Sequence, residues 1–249
     1  ATAFHLSFSP DGALLAMDAW FRGDNDQDGD TLVWDTETGE ILFDRIGDET
    51  AASADPAFSP DGSRLVLGSR SGGVFSASVW DTSSWVQLDE VPLDQPWHDS
   101  FFTPDGSLLA FADWGGQIVL IDTETWEVSG QPLDAHNGLI RSMDMTADGS
   151  RLVTAANDGF VRVWDIHDRA LVQQYDFGDE DFASARFMDD DRRLLVTPME
   201  TGIPIVMHLD VNDLILGARS RITRGFTPEE CATYELDPCP TLEEIRAGL

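Results

Sequence analysis

The chain has 249 residues, enough to bury a large core, and its 42% hydrophobic and 10% aromatic content is that of a folded protein. Its formal net charge of −31, from 46 acidic and 15 basic residues, argues against binding to nucleic acids or anionic membranes. No apolar run approaches the roughly 18 residues needed to span a bilayer, and no signal peptide is visible. We therefore expect a cytoplasmic protein without a membrane span.

A short turn motif recurs along the chain at nearly even spacing. The copies are Ser9-Pro10-Asp11-Gly12, Ser59-Pro60-Asp61-Gly62, Thr103-Pro104-Asp105-Gly106, Thr146-Ala147-Asp148-Gly149 and a degenerate fifth one, Met188-Asp189-Asp190-Asp191. The first four begin 50, 44 and 43 residues apart. Proline fixes φ and glycine accepts a positive φ, so each copy predicts the tight turn of a hairpin.

Apolar segments after each turn predict short strands. In every copy, a strand that follows the turn leads to another that ends in a large apolar residue and aspartate. These endings are Trp34-Asp35, Trp80-Asp81, Ile121-Asp122, Trp164-Asp165 and Leu209-Asp210. Turns of the Asp-Thr-Glu-Thr type then open an outer strand, which we expect at Glu40 to Phe43 in the first copy and at Trp126 to Ser129 in the third. Short strands at even spacing predict an all-β fold.

The best-preserved copy is AHNGLIRSMDMTADGSRLVTAANDGFVRVWD, from Ala135 to Asp165. With this repeat the chain resembles the WD-repeat β-propellers, in which about 40–45 residues build one four-stranded blade. The resemblance implies a buried, hydrogen-bonded structural tetrad of His136, Thr154, Asp158 and Trp164. The other copies have Met17, Leu67, Phe111 and Val196 at the threonine position. We expect those blades to depend more on apolar packing.

The strand count predicts about five WD-type blades in residues 1–213. The first three strands of the blade occur in five copies and the outer strand in four, because the chain begins inside a blade. We expect a propeller that is truncated at its N-terminus. Residues 214–249 are predicted to form a short C-terminal helical tail, since Thr227-Pro228-Glu229-Glu230 has the pattern of a capping box. Whether Cys231 and Cys239 of this tail pair is left open.

The tail sequence ARSRITRGFTPEECATYELDPCP is similar to the segment after the WD repeats of large actinobacterial STAND-type ATPase regulators. The resemblance implies the sensory end of a bacterial signalling protein, which binds a protein partner or the upstream domains of its own polypeptide. No catalytic motif is present, so we expect a non-enzymatic interaction or ligand-sensing scaffold. The alternative is a carbohydrate-binding or carbohydrate-cleaving propeller, with Asp55, Asp99 and Asp144 on its innermost strands.

An acidic insertion distinguishes the first copy. The step from Met17 to Trp34 is seven residues longer than the equivalent step from Thr154 to Trp164. The inserted hairpin contains an alternating series of carboxylates that resembles a calcium loop, formed by Asp24, Asp26, Asp28 and Asp30. Calcium is therefore the one cofactor that the sequence leaves open, and a solvated acidic loop is the alternative.

Three tryptophans do not follow the repeat. They are Trp20, Trp97 and Trp114, which lie near hairpins or blade-to-blade connections that share one face of a propeller. Loops of this kind often present aromatic residues as anchors for protein partners. We therefore predict an interaction surface at these residues, with capping of the blade ends as the alternative.

Overall fold

The computed structural model describes residues 2–20, 30–45, 55–71, 74–95, 97–178, 181–189, 191–210 and 241–243. Within these ranges, 19 strands form five antiparallel sheets, four with four strands and one with three. Each sheet is one blade, and its strands follow one another in chain order. The predicted all-β architecture of four-stranded blades is confirmed.

The strands of the first blade are β1 (Thr2–Phe8), β2 (Leu14–Trp20), β3 (Asp30–Asp35) and β4 (Ile41–Asp44). The second blade contains β5 (Ala57–Phe58), β6 (Arg64–Ser71), β7 (Val74–Asp81) and β8 (Gln87–Leu93). The third contains β9 (Trp97–Phe102), β10 (Leu108–Asp113), β11 (Gln117–Asp122) and β12 (Leu133–Asp134). The fourth contains β13 (Ile140–Met145), β14 (Arg151–Ala156), β15 (Phe160–Asp165) and β16 (Ala170–Asp176). The fifth contains β17 (Phe182–Met188), β18 (Arg193–Pro198) and β19 (Ile205–His208).

The hydrophobic core lies between neighbouring blades. Four buried clusters occupy the four successive junctions of the described blades. At the junction of the third and fourth blades, the third contributes Ala110, Ala112, Ile118 and Leu120, and the fourth contributes Met143, Leu152 and Trp164 among others. Across the junctions, small and aliphatic side chains come mainly from the preceding blade and larger ones mainly from the following blade. Burying both faces stabilises each pair of blades.

The Pro-Asp-Gly turns also link one blade to the next. Each turn proline packs over the glycine of the following turn, in the pairs Pro10 with Gly62, Pro60 with Gly106 and Pro104 with Gly149. The fourth turn has Ala147 instead of proline, and its N–H donates to a carboxylate oxygen of Asp191 at 3.0 Å. Asp191 occupies the glycine position with a φ of 63°. The two departures from the repeat thus compensate each other, because proline could not donate this bond.

Aspartate has a structural role in these turns. Asp148 accepts hydrogen bonds from the Ser150 N–H at 2.9 Å and the Thr146 hydroxyl at 2.7 Å. These bonds, with one from the Ser150 hydroxyl, lower the pKa of Asp148 to about 2. Asp61 makes the same set of contacts in the second blade, and its pKa is also about 2. Some of the many acidic residues of the chain therefore stabilise its turns by accepting hydrogen bonds.

The outer strand of the third blade differs from the prediction. We expected it at Trp126 to Ser129, but this segment makes only a single bridge, between Val128 and Ile121. The outer strand is β12, five residues further along the chain than that bridge. Trp126 closes the preceding turn with a φ of 56°, and Gly130 turns the chain again with a φ of 68°. The equivalent Trp85 and Arg169 also have a positive φ, and β8 and β16 start soon after them. The second turn at Gly130 therefore distinguishes the third blade and displaces its outer strand.

The third strand of the fifth blade is also displaced from the prediction. Leu152 pairs with Trp164 in the fourth blade, and the equivalent Leu194 pairs with Met207 in the fifth. Met207, rather than Leu209, therefore occupies the tryptophan position. The predicted ending of this strand is therefore wrong by two residues. A shift of two residues leaves each side chain on the same side of the strand, so the alternation of apolar residues did not reveal the error.

The predicted helical tail lies outside the described residues, apart from 241–243. The division of the chain at residues 213 and 214 therefore stays a prediction, and whether Cys231 and Cys239 pair stays open. In the part of the chain that the structure describes, no helix is long and apolar enough to cross a membrane.

Candidate functional site

The four side chains of the predicted tetrad meet inside the fourth blade. His136 follows β12, Thr154 lies on β14, Asp158 lies in the β14–β15 hairpin and Trp164 lies on β15. The imidazole of His136 has its Nδ1 2.8 Å from Asp158 Oδ1 and its Nε2 2.7 Å from the Thr154 hydroxyl. Trp164 Nε1 donates to the same hydroxyl at 3.1 Å. One chain of hydrogen bonds thus joins two strands, a hairpin and the connection from the third blade.

The carboxylate of Asp158 favours one tautomer of His136. In that tautomer the proton lies on Nδ1, which faces Asp158 Oδ1, and Nε2 accepts from the Thr154 hydroxyl. Burial lowers the pKa of His136, and this outweighs the hydrogen bond and charge of Asp158, which raise it. Burial would raise the pKa of Asp158, but hydrogen bonds from His136, Asn137 and Arg162 leave it lowered. A neutral imidazole thus faces an ionised carboxylate.

Arg162 is a fifth member of this network that the sequence analysis missed. Its Nη1 donates to Asp158 Oδ2 at 3.0 Å and to the Ala135 carbonyl oxygen at 3.0 Å, and lies 2.6 Å from His136 Nδ1. The charge of Asp158 is thereby balanced inside the blade. Arg162 precedes Trp164 by two residues on β15, so strand alternation could have placed both side chains on one face.

The network fixes the connection between the third and fourth blades. The N–H groups of Ala135 and His136 donate to the carbonyl oxygen of Gly116 at 3.1 and 2.8 Å. The Asn137 N–H donates to Asp158 Oδ2 at 3.0 Å. Gly116 has a φ of 87°, and a side chain there would collide with the His136 carbonyl oxygen. The β10–β11 hairpin is therefore held against the segment that carries His136.

Trp114 stands at the tip of this hairpin. Its side chain is 60% exposed. The neighbouring Asp113 is buried and accepts a hydrogen bond from the Gln117 N–H at 2.8 Å, which closes the hairpin. The backbone beneath Trp114 is thus fixed on both sides, by Asp113 within the hairpin and by Gly116 toward the fourth blade.

The other two predicted anchors do not join Trp114. The prediction of a surface position is wrong for Trp97, which is 2% exposed and packs edge-on against Phe111, with ring centroids 4.9 Å apart. Trp97 begins strand β9 rather than lying in a loop, so its indole enters the junction with the second blade. The side chain of Trp20 lies outside the described part of the chain, and its role in an interaction surface stays a prediction.

The second blade contains a different polar network, which the sequence analysis also missed. Trp80 Nε1 donates to the Ser78 hydroxyl at 3.0 Å, and Arg45 Nη1 donates to the same hydroxyl at 3.3 Å. The guanidinium carbon of Arg45 lies 5.6 Å from the centroid of the Trp80 ring. Arg45 follows the outer strand of the first blade, much as His136 follows that of the third. The second blade, which we expected to depend more on apolar packing, thus also contains hydrogen bonds at its tryptophan.

The acidic residues of the innermost strands connect neighbouring blades. Asp99 Oδ2 accepts a hydrogen bond from the Met143 N–H at 2.8 Å, and Asp144 Oδ2 accepts one from the Phe187 N–H at 2.7 Å. Burial raises the pKa of Asp144, which the bond from Phe187 opposes. The backbone oxygen of Asp55 accepts from the Ser100 hydroxyl at 2.9 Å. These contacts are structural, and none of them favours the carbohydrate alternative.

Most of the predicted calcium loop lies outside the described residues. Asp24, Asp26 and Asp28 lie outside the described residues, and Asp30 begins β3 with no described side chain. Among the side chains that the structure does describe, no group of three or more His, Cys, Asp or Glu residues could hold a metal ion. Calcium binding by this loop stays a prediction.

Comparisons with known proteins agree with the repeat. Residues 128–165 match the family model of the WD domain, G-beta repeat. The chain is 33% identical over 147 residues to WD repeat-containing protein SL1-17 of Schistosoma mansoni, which covers 58% of this chain and 46% of that protein. It is 28% identical over 116 residues to Actin-interacting protein 1 of Drosophila melanogaster, which covers 45% and 18%. The chain thus spans less than half the length of these curated relatives.

A solved structure supports the same architecture. The crystal structure of the Cps50 (Swd1) β-propeller domain of Myceliophteria thermophila aligns with a TM-score of 0.66 and 18% sequence identity. The alignment covers 85% of this chain and 67% of that chain. A likeness at this identity concerns the fold alone. The fold is a β-propeller, and the repeat, the relatives and the blade geometry support a WD-repeat propeller.

Proposed function

We propose that the chain is a non-enzymatic protein-interaction scaffold and that the Trp114 hairpin is one of its contact points. The observation that carries the proposal is an exposed tryptophan on a backbone fixed by Asp113 and by the Gly116–His136 contact. A rigidly presented indole offers a large contact area and loses little conformational entropy on binding. The name of one relative, Actin-interacting protein 1, refers to an interaction with a protein.

In this proposal the propeller is the WD-repeat region of a larger bacterial signalling protein. The support is the similarity of residues 218–240 to the segment that follows the WD repeats in actinobacterial STAND-type regulators. The partner is then a protein or an upstream domain of the same polypeptide. With a net charge of −31, the chain would be steered toward a partner surface rich in basic residues.

Affinity capture from the source organism tests the Trp114 contact. The bait is the chain itself, compared with Trp114→Ala and with the control Val86→Ala. Val86 is also a large exposed apolar residue, but it lies at the opposite end of the blades, in the turn before β8. Loss of an anchor residue weakens binding by about tenfold or more.

We expect the control to retain the partners of the parent chain and Trp114→Ala to lose them. Equal capture by both variants would contradict the assignment of Trp114. Recovery of no partner by the parent chain would count against the scaffold role itself.

A further inference from the structure

The connection into the fourth blade contains the pair Asn137-Gly138. Of the asparagines in the chain, which are Asn25, Asn137, Asn157 and Asn212, only Asn137 precedes a glycine. Asn137 is exposed. Within residues 97–178, neither its side-chain amide nor the Gly138 N–H has a hydrogen-bond partner. Because glycine has no side chain to hinder its backbone nitrogen, this nitrogen can approach the asparagine side chain.

The chemistry open to this pair is cyclisation followed by hydrolysis. The Gly138 nitrogen forms a bond to Cγ of Asn137, and the C–N bond of the side-chain amide breaks. Ammonia leaves with the proton of the Gly138 N–H, and the product is a cyclic imide. Water then opens the ring at one of its two carbonyls. Opening at Cγ gives aspartate, whereas opening at the backbone carbonyl gives isoaspartate, whose main chain runs through Cβ and is longer by one carbon.

The Asp-Gly pairs of the turns could form the same ring, but the fold protects them. The N–H of Gly149 donates to the Thr146 carbonyl oxygen at 2.9 Å, so this nitrogen is not free to attack. Asp148 is ionised, because its pKa is lowered to about 2, and a carboxylate is a poor target for a nucleophile. The equivalent bond, at 2.8 Å, is made by the glycines of three other turns, Gly12, Gly62 and Gly106. Neither form of protection is present at Asn137-Gly138.

This pair also lies against the support of the Trp114 hairpin. The Gly138 carbonyl oxygen is so close to Gly116 that a Cβ there would lie 2.7 Å from it. The Asn137 N–H is held at the same time by Asp158 Oδ2 at 3.0 Å. A main chain that is longer by one carbon between these two contacts cannot keep both. The new carboxylate would also add negative charge next to Asp158.

We propose that Asn137-Gly138 is a site of spontaneous deamidation, which converts Asn137 to aspartate and isoaspartate and loosens the Trp114 hairpin. The reaction needs only water, and the fold directs it to this pair by leaving the Gly138 nitrogen free. Loosening follows because the modified connection no longer matches the contacts of Gly116 and Asp158.

Peptide mapping by mass spectrometry tests the modification in the chain stored at neutral pH. The matched control is Asp148→Asn, which places an Asn-Gly pair in a turn of the same blade, where the Gly149 N–H is bonded. Short peptides with the two sequences give the rates without the fold. If Asp148→Asn does not fold, Asp105→Asn provides the same comparison in the third blade, where the Gly106 N–H is bonded.

We expect Asn137 in the folded chain to be converted, with isoaspartate among the products. Its rate, relative to that of its peptide, should exceed the relative rate of the introduced asparagine by about tenfold or more, because the turn hydrogen bond must break before that glycine can attack.

Amide hydrogen exchange tests the effect on the hairpin. After conversion of Asn137, exchange should be faster than in the fresh chain at Gln117, Ala135 and His136, whose N–H groups hold the hairpin and the connection. Asn137→Gln, stored in the same way, should show no such change, since its longer side chain would have to form a larger ring.

Two results would overturn the assignment of the site. One is an intact Asn137 in the folded chain after its peptide has been converted, and the other is equal protection of Asn137 and the introduced asparagine. Unchanged exchange at the three amides after conversion would overturn the loosening of the hairpin. Conversion and exchange are measured without a partner, so this proposal and the Trp114 contact can fail separately.

Discussion

The third and fourth blades fill the same interior position by different chemistry. In the fourth, Thr154 links His136 and Trp164 by hydrogen bonds. In the third, Phe111 takes the threonine position, and the edge of Trp97 packs on its ring. Both interiors are filled by buried side chains, although Nε1 of Trp97 has no hydrogen-bond partner in the third blade. A blade therefore needs a packed centre rather than one particular residue set. The polar version does more, because its hydrogen bonds also fix the connection at residues 135–137.

The largest expected loss comes from emptying the aromatic interior. Phe111 is fully buried between the second and third blades. Phe111→Ala should lower the free energy of unfolding by about 3–5 kcal/mol, because the cavity cannot be refilled by its neighbours. Urea denaturation followed by tryptophan fluorescence measures the change. A loss below about 1 kcal/mol would show that the third blade does not depend on this side chain.

A smaller loss should follow from breaking the polar interior. Thr154→Val keeps the shape of the side chain but leaves the Trp164 N–H and His136 Nε2 without their shared partner. We expect a decrease of about 1–3 kcal/mol in the free energy of unfolding, the cost of buried groups left unpaired. Thr201→Val, at an exposed threonine, is the control in the same denaturation assay. Equal effects of the two substitutions would argue against the network.

The repeat made the blades predictable from sequence, because each turn and each alternating strand carries its own local signal. The Pro-Asp-Gly turns predicted the hairpins that the structure contains. The register of β19 was not predictable, since a shift of two residues preserves the apolar alternation. The short β12 was missed because Gly130, with a φ of 68°, adds a second turn that the other blades lack at this point, and the sequence pattern before it resembles an ordinary outer strand.

The candidate site was predictable only where the repeat specifies it. His136 and Thr154 were found from their positions in the best-preserved copy. The environment of Trp97 was not predictable, because the sequence does not show whether this tryptophan begins a strand or ends the loop before it. Arg45 lies 33 residues before Ser78 in the chain, and a local sequence pattern cannot predict a contact over that separation. Tertiary packing decided these positions.

The pH dependence of the free energy of unfolding should also distinguish the polar interior of the fourth blade from the aromatic interior of the third. Burial lowers the pKa of His136 in the folded state, and the unfolded value is about 6.5. The unfolded state therefore binds the proton more readily, and the free energy of unfolding falls as the pH drops below about 6.5. His136→Gln should remove this part of the pH dependence, whereas Phe111→Leu should retain it. Denaturation between pH 7 and pH 5 measures both, and parallel curves for His136→Gln and the parent would contradict the assignment.

The smallest effect concerns a feature that many blades share. Ser150 and Thr146 lower the pKa of Asp148 to about 2, and Asp105 of the third blade is lowered by equivalent contacts with Thr103 and Ser107. Their stabilisation is fully present above the unfolded pKa of about 3.9 and is lost as the pH falls toward about 2. Carboxyl NMR should give a midpoint near 2 for Asp148 and below 3.9 for Asp105. Midpoints near 3.9 would show that the turn residues do not hydrogen-bond to these carboxylates in solution.

The most direct test of the polar interior is amide hydrogen exchange at residues 135–137. Their N–H groups are bonded to Gly116 and to Asp158, and His136 joins the two. His136→Gln should accelerate exchange at these residues and in the hairpin that carries Trp114, more than elsewhere in the chain. Phe111→Leu should change exchange across β9 to β11 without this concentration at residues 135–137. Equal acceleration by the two variants at these amides would contradict the view that the fourth blade's network positions the Trp114 hairpin.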